Sequence, residues 1–415
     1  MVVVHAGWEL TQRTVADVSV GARRNLALAT WTFAINFWAW NLVAPLASRY
    51  AQQLSLSSTQ TSLLVAALVL VGSLGRIPVG VLTDRYGGRV MFALVSLVSM
   101  APVLAVAFAG SVGSYPLLLV FGFFLGLAGT TFAVGIPFVN AWYGPDRRGF
   151  ATGVFGAGMG GTALSAFFTP RLVAWFGYVV THVIVATALA VAAVIVLALA
   201  RDAPGWTPNT SPVIPKLAAA ARLRVTWEMS SLYAITFGGF VAFATYLPTY
   251  LKIVYGFTLT EAGTRAAGFA VAAVVARPIG GILSDRLRPK PVVLASLAGA
   301  AVMAVVLAAQ PAPEIHAGLT FLAMAFVLGI GTGGVFAWVA QRAPAERVGA
   351  VTGIVGAAGG LGGFFPPLVM GATYDQAGNN YTVGLVLLCV TAAVAFVVTL
   401  LRVPHGAPEA GTQKT

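Results

Sequence analysis

Residues 62–89 read SLLVAALVLVGSLGRIPVGVLTDRYGGR. The run is apolar enough to cross a bilayer, which takes about 20 such residues. It carries one charge, Arg76, before it ends in a charged loop. A guanidinium keeps its proton, because its pKa stays above about 12. At membrane depth that charge costs from about 2.5 to more than 10 kcal/mol. Residues 266–290, AAGFAVAAVVARPIGGILSDRLRPK, repeat the arrangement with Arg277 as the lone charge of the run. Two fixed cations in hydrocarbon, with no acid beside either in sequence, point to a buried site for an anion.

The rest of the chain fits a membrane protein. Of 415 residues, 58% are hydrophobic and 9% charged, with mean hydropathy +0.88; a soluble domain carries roughly 25% charged residues. Twelve long apolar runs are predicted, at 25–47, 59–83, 90–110, 116–141, 150–173, 179–200, 230–251, 261–284, 291–310, 317–341, 350–373 and 382–402. They are apolar throughout, unlike the alternating strands of a β-barrel. The expected fold is an all-α integral membrane protein with its helices in two six-helix bundles. Residues 1–24 form a polar tail, 25–200 the first bundle, 201–229 a Pro- and Ser/Thr-marked linker, 230–402 the second bundle and 403–415 a second tail. Within the linker, KLAAAARLR (216–224) suggests a short basic interfacial helix.

The net charge of +12 does not signal nucleic acid. Threaded through twelve spans, 18 of the 24 Lys and Arg fall on the side of both termini. Arg49, Arg171, Lys252 and Arg265 fall on the other side. This positive-inside bias places both termini in the cytoplasm and the protein in the cytoplasmic (inner) membrane. The only cysteine, Cys389, forms no intrachain disulfide, and the four histidines lack metal-ligand spacing. No metal, cofactor or enzymatic constellation is expected.

The two bundles align with each other. GRIPVGVLTDRYGGR (75–89) matches ARPIGGILSDRLRPK (276–290), and RRGFATGVFGAGMGG (147–161) matches RVGAVTGIVGAAGGLGG (347–363). Matching segments in equally oriented helices make a parallel repeat, with substrate expected near the midplane between the halves. Asp84 and Arg85, with Asp285 and Arg286, are the candidate gate: charge-assisted pairs at the cytoplasmic helix ends. Gly156 and Gly160, with Gly356 and Gly360, lie in two glycine-rich helices whose exposed backbone can slide past a neighbour and touch a small ligand. Pro366-Pro367 is expected to bend the eleventh helix.

GVLTDRYGGR and GILSDRLRPK resemble the G-x-L-x-D-R-x-G-x-R/K loop of the major facilitator superfamily; in the second copy Arg288-Pro289 replaces Gly87-Gly88. The two glycine signatures, together with SLYAITFGGFVAFATYLPTYLKIVYGFT (231–258), resemble the nitrate/nitrite porter family within it. The likeness runs over about 25–403. It implies a secondary transporter in which Arg76 and Arg277 hold nitrate or nitrite. It implies a sandwich of aromatics as well: Phe132, Tyr233, Phe237, and from the first helix Phe33 or its neighbour Phe37. Some members carry asparagine where this chain has Met159, which leaves nitrate against nitrite open. No Asp or Glu is placed mid-membrane, which argues against a carboxylate proton relay, yet the short, compact chain resembles the proton-coupled branch of the family; coupling stays open between nitrate/nitrite exchange and proton symport. A monomer is expected, with the lipid bilayer and a small inorganic anion as its partners. The alternatives are a transporter of another small monovalent anion, such as a short carboxylate, and an anion-binding receptor that moves nothing.

Overall fold

A computed structural model describes residues 2–144, 147–209, 212–344 and 347–404. The described residues form helices joined by short turns, with one isolated bridge between Asp375 and Asn380. Eleven helical spans are long and apolar enough to cross a membrane. The twelfth is the glycine-rich run 148–176, helical throughout but in three pieces. We number the spans in chain order. The first bundle holds α1 (Val2–Trp40), α2 (Ser58–Tyr86), α3 (Gly88–Ser111), α4 (Tyr115–Trp142), α5 (148–176) and α6 (Tyr178–Leu199). The second holds α7 (Arg224–Tyr255), α8 (Leu259–Leu287), α9 (Pro289–Ala308), α10 (Ile315–Arg342), α11 (Val348–Ala372) and α12 (Thr382–Arg402).

Two boundaries differ from expectation. The backbone of α1 is helical from Val2, so most of the expected polar tail extends the first helix. The α7 helix begins at Arg224 and takes in the end of the expected linker. The linker carries its predicted short helix at Val213–Ala221. The bend expected at Pro366-Pro367 appears as a break at Gly363–Phe364, where one segment ends and the next starts with its prolines in the first turn.

The repeat extends into the turns. Ser57 and Gln60 form a capping box at the start of α2, and Thr258 and Glu261 form the same box at the start of α8. At the other end of these helices Gly87 has φ +84°, and Arg288 takes the same conformation at φ +70°. That backbone suits glycine and strains an arginine. Beyond the turns, Arg89 donates through Nε to Leu197 O at 3.2 Å, closing the C-terminal end of α6. Lys290 does likewise for α12, donating to Leu400 O at 3.0 Å and Val403 O at 2.7 Å. A cation at a helix C-terminus satisfies its unpaired carbonyls and its dipole.

The halves are joined unevenly. On the face away from the termini, Ser62 Oγ donates to Tyr246 Oη at 3.1 Å, which in turn donates to Tyr381 Oη at 3.1 Å. Arg171 Nη2 reaches Thr264 Oγ1 at 2.8 Å, and Lys252 Nζ reaches Gln52 Oε1 at 3.2 Å. Gly371 lies against Ser62 and Gly263 against the Ala166 carbonyl, each so close that a Cβ would overlap its neighbour. Among the described residues, every hydrogen bond joining the bundles lies on this far face or in the middle of the membrane. Towards the termini, Gly153, Gly160, Gly281 and Gly353 look into open space. Among the described residues, the bundles are thus hydrogen-bonded to each other on the far face and not on the face of the termini.

Candidate functional site

Arg76 stands where α2 breaks. The first segment, Ser58–Leu74, stops at Gly75, and the next begins at Arg76 itself. Its side chain is 7% exposed and crosses to the other bundle, where Nη1 donates to Gly356 O at 2.9 Å. Its Nε is buried with no hydrogen-bond partner among the described residues. Arg277 lies in an unbroken stretch of α8 and is half-buried. It also crosses: Nη1 donates to Met159 Sδ at 2.7 Å, while Nη2 donates to Tyr233 Oη at 3.3 Å in its own half. Among the described residues neither guanidinium has a carboxylate within 4.0 Å.

Both guanidiniums approach the same ring. The Arg76 and Arg277 guanidinium carbons are 4.9 and 5.8 Å from the centroid of Phe132. Their separation therefore cannot exceed the sum of those distances. Arg76 also lies 5.6 Å from Phe237, which stacks on Tyr233 with centroids 4.9 Å apart and planes 4° from parallel. This follows from their i, i+4 spacing on α7. A ring face carries negative quadrupole density that attracts a cation. The rings therefore partly balance the arginines without an ion pair that would compete with an anionic ligand.

The structure sorts the remaining expected residues. Phe33 and Phe37 do not reach either guanidinium. Phe33 is fully buried behind the site, stacked on Phe155 at 4.6 Å and tilted against Phe132 at 5.9 Å, with Phe37 beyond it at 4.3 Å. Gly156 faces the site, since a Cβ there would stand 4.0 Å from the Arg277 guanidinium. Gly356 supplies the carbonyl for Arg76 and lies against Phe132. Gly160 opens onto empty space, whereas Gly360 packs against Ser73 of the opposite bundle. The expected gate pairs are not formed: among the described residues, Asp84, Arg85, Asp285 and Arg286 take part in no salt bridge. The physical reason is the separation of the bundles on that face. The linker crosses there instead, through Asn209 N donating to Asp84 O at 2.9 Å.

Two site residues escaped the sequence reading. Phe336 on α10 is 5.4 Å from the Arg277 guanidinium carbon and meets Tyr233 edge-on at 4.6 Å. The repeat held a signal for it, because LGLAGTTF (125–132) and LGIGTGGVF (328–336) are related strings. Met159, which stands where some family members carry asparagine, is the second: its sulfur accepts from Arg277. Below the site, Glu228 accepts from Arg342 at 2.6 Å and from Arg224 at 2.8 Å. Arg342 and Glu228 are nearly buried, so this acid is held by two cations at the helix end.

The Major Facilitator Superfamily pattern matches residues 27–266 and 255–415. The chain is 64% identical over 382 residues to "Probable nitrate/nitrite transporter NarK2" of Mycobacterium tuberculosis, covering 92% of this chain and 97% of that one. The chain belongs to the nitrate/nitrite porter family of the major facilitator superfamily. It is also 34% identical to "Probable nitrate/nitrite antiporter NarK1" of Thermus thermophilus, over 85% of each chain. Among solved structures, it resembles a bacterial homolog of the human lysosomal transporter Spinster in an inward-facing and occupied conformation. That match has a TM-score of 0.69 and 19% identity, covering 91% of this chain and 95% of that one. This likeness bears on the fold alone. The matched relatives are named as transporters, and the protein is a multi-pass membrane transporter.

Proposed function

We propose that the protein carries nitrate and nitrite across the cytoplasmic membrane by alternating access, with both termini in the cytoplasm. The anion sits between Arg76 and Arg277, flanked by Phe132, Tyr233 and Phe237. Gly156 and Gly356 allow close backbone approach, and Phe33 backs the Phe132 ring. The observation that carries this reading is the pair of guanidiniums over one aromatic ring, with no carboxylate among the described residues to neutralise them. A planar monoanion suits both elements. Its oxygens accept the directed N–H groups of guanidinium, and its faces stack on rings. The names of the relatives support the same cargo.

The empty site holds two like charges in low dielectric, where repulsion is strong. One monoanion offsets much of it. The loaded carrier therefore changes face more readily than the empty one, and the protein works as an exchanger. Exchange of one monoanion for another moves no net charge, whereas inward movement of a lone anion costs about 2.3 kcal/mol per 100 mV. Proton symport needs a titratable group near the site. Glu228 is engaged by Arg342 and Arg224 at the helix end and touches neither Arg76 nor Arg277. The paired charges of Asp84, Arg85, Asp285 and Arg286 serve the opposite state, in which the cytoplasmic face closes.

Counterflow in proteoliposomes tests this. Internal nitrite accelerates entry of labelled nitrate, with no proton movement. Nitrate entry that needs no internal anion and makes the outside alkaline overturns exchange in favour of symport. Formate moved in preference to nitrate overturns the cargo, and saturable binding without any flux makes the protein a receptor.

A further inference from the structure

We propose a second anion-attracting site at the far-face mouth, built from Arg171 and Lys252, which gathers small monovalent anions before they reach the central arginines. It rests on the transport reading above and adds a separate place on the route. Arg171, at the end of α5, holds its own helix through Nη1 to Phe167 O at 2.7 Å and lies 3.7 Å over the Phe167 ring. Its other nitrogen, Nη2, reaches across to Thr264 of the second bundle at 2.8 Å. Lys252, in the last turn of α7, reaches in the opposite sense to Gln52 of the first bundle at 3.2 Å. Each half thus lends one cation to a neutral acceptor on the other half.

The choice of acceptor matters. Among the described residues neither cation meets a carboxylate, although acids stand on this same face. Arg265, the residue next to Thr264, is by contrast paired with Glu314 at 3.2 Å. Had Gln52 and Thr264 been acids, the mouth would carry no net positive field and would be locked by ion pairs. With neutral acceptors the bonds are weak enough to break when the far face opens. Opening must break them, because the partners belong to different bundles. Two cations without counter-charge then flank the entrance, and an arriving anion takes the place of the amide and hydroxyl oxygens. When the anion moves inward, the same oxygens take the cations back and the mouth closes. A field of this kind concentrates counter-ions at a cleft and raises their encounter rate by about 10- to 1,000-fold.

The readout is the half-saturation concentration on each face, with the opposite face saturated, in right-side-out and inverted membrane vesicles containing the full chain. Lys252→Gln, Arg171→Gln and Gln52→Glu each raise half-saturation for nitrate on the far face by about three- to tenfold at low salt. Maximal exchange stays within about twofold, as does half-saturation on the termini face, because the central site is untouched. Raising ionic strength from about 0.01 to 1 M shortens the screening length from about 30 to 3 Å, so wild type and variants converge. Lys252→Arg keeps the charge and keeps wild-type behaviour. The proposal is overturned by unchanged far-face half-saturation, by equal changes on both faces, or by a difference that persists at high salt, which would make these residues a mechanical latch only. A wild type that exchanges no nitrate would contradict the transport reading instead, and is distinguishable from each of these.

Discussion

The two bundles carry the same cation at the same place in the repeat but hold it differently. In the first bundle the site segments are irregular: α2 breaks at Gly75, α4 passes through a 3-10 turn at Gly126–Thr130 before Phe132, and α5 does so at Ala157–Gly160 around Met159. In the second bundle α7, α8 and α10 run unbroken past Tyr233, Arg277 and Phe336. The partners differ too. Arg76 is tethered to a backbone carbonyl, a full-strength acceptor, while Arg277 rests on a thioether and a phenol. A 3-10 stretch inside a long helix often marks a hinge. The difference teaches that duplication supplied the charge twice, and that the halves then diverged. Around the two arginines the irregular backbone lies in the first bundle, and the weaker acceptors hold the arginine of the second.

The strongest way to break this comparison is to remove the charges. Arg76→Ala and Arg277→Ala should each lower nitrate counterflow by about 100-fold or more, or about 2.7 kcal/mol, with both proteins still inserted. The lysine variants sharpen it. Arg76 must bond a carbonyl and an anion in two directions, which a guanidinium fork permits and an ammonium does poorly. Arg76→Lys is therefore expected to be about tenfold worse than Arg277→Lys, a gap of about 1.4 kcal/mol. Equal losses would remove the asymmetry.

A glycine pair comes next. Gly360→Ala drives a Cβ into Ser73 Oγ across the bundle interface, whereas Gly160→Ala enters open space. The first should cut maximal exchange by about tenfold, in line with overpacking costs of about 1–3 kcal/mol, and Ser73→Gly should restore it. The second should change exchange by less than about twofold, as substitutions that meet no neighbour do. Among the rings, Phe132 touches both guanidiniums and Phe237 only Arg76. Phe132→Ala should raise half-saturation for nitrate by about tenfold and Phe237→Ala by about threefold, within the range of buried cation–π contacts. The smallest effect belongs to Tyr233→Phe. It deletes one 3.3 Å hydrogen bond to Arg277 and keeps the stack on Phe237, so a rise of about two- to threefold is expected.

Much of the fold was legible because the decisive signals are local and repeated. A lone arginine in each of two matching apolar runs, and twin charged loops after them, need only the sequence to be seen. The capping boxes at Ser57 and Thr258 were equally local and sat at matching positions. What escaped depends on distance across the bundle. The bond from Arg277 to Met159 spans 118 positions and uses a side chain usually read as packing. The family resemblance asks for an aromatic from the first helix, which points to Phe33, while its depth behind Phe132 is a matter of tertiary packing. The open gate loops at Asp84 and Asp285 reflect a conformation, and one sequence serves every conformation in the cycle. Arg288 shows the limit from the other side: it stands where the first copy has Gly87, yet it keeps the same positive φ, +70° against +84°.

The central claim is that one small anion bridges Arg76 and Arg277. A structure determined in saturating nitrate tests it most directly. The account predicts planar density beside Phe132, with N–H groups from both guanidiniums at about 3 Å and the Arg277 contact to Met159 released. Density held by one arginine alone, or an anion bound elsewhere while both side chains keep their present partners, would contradict it.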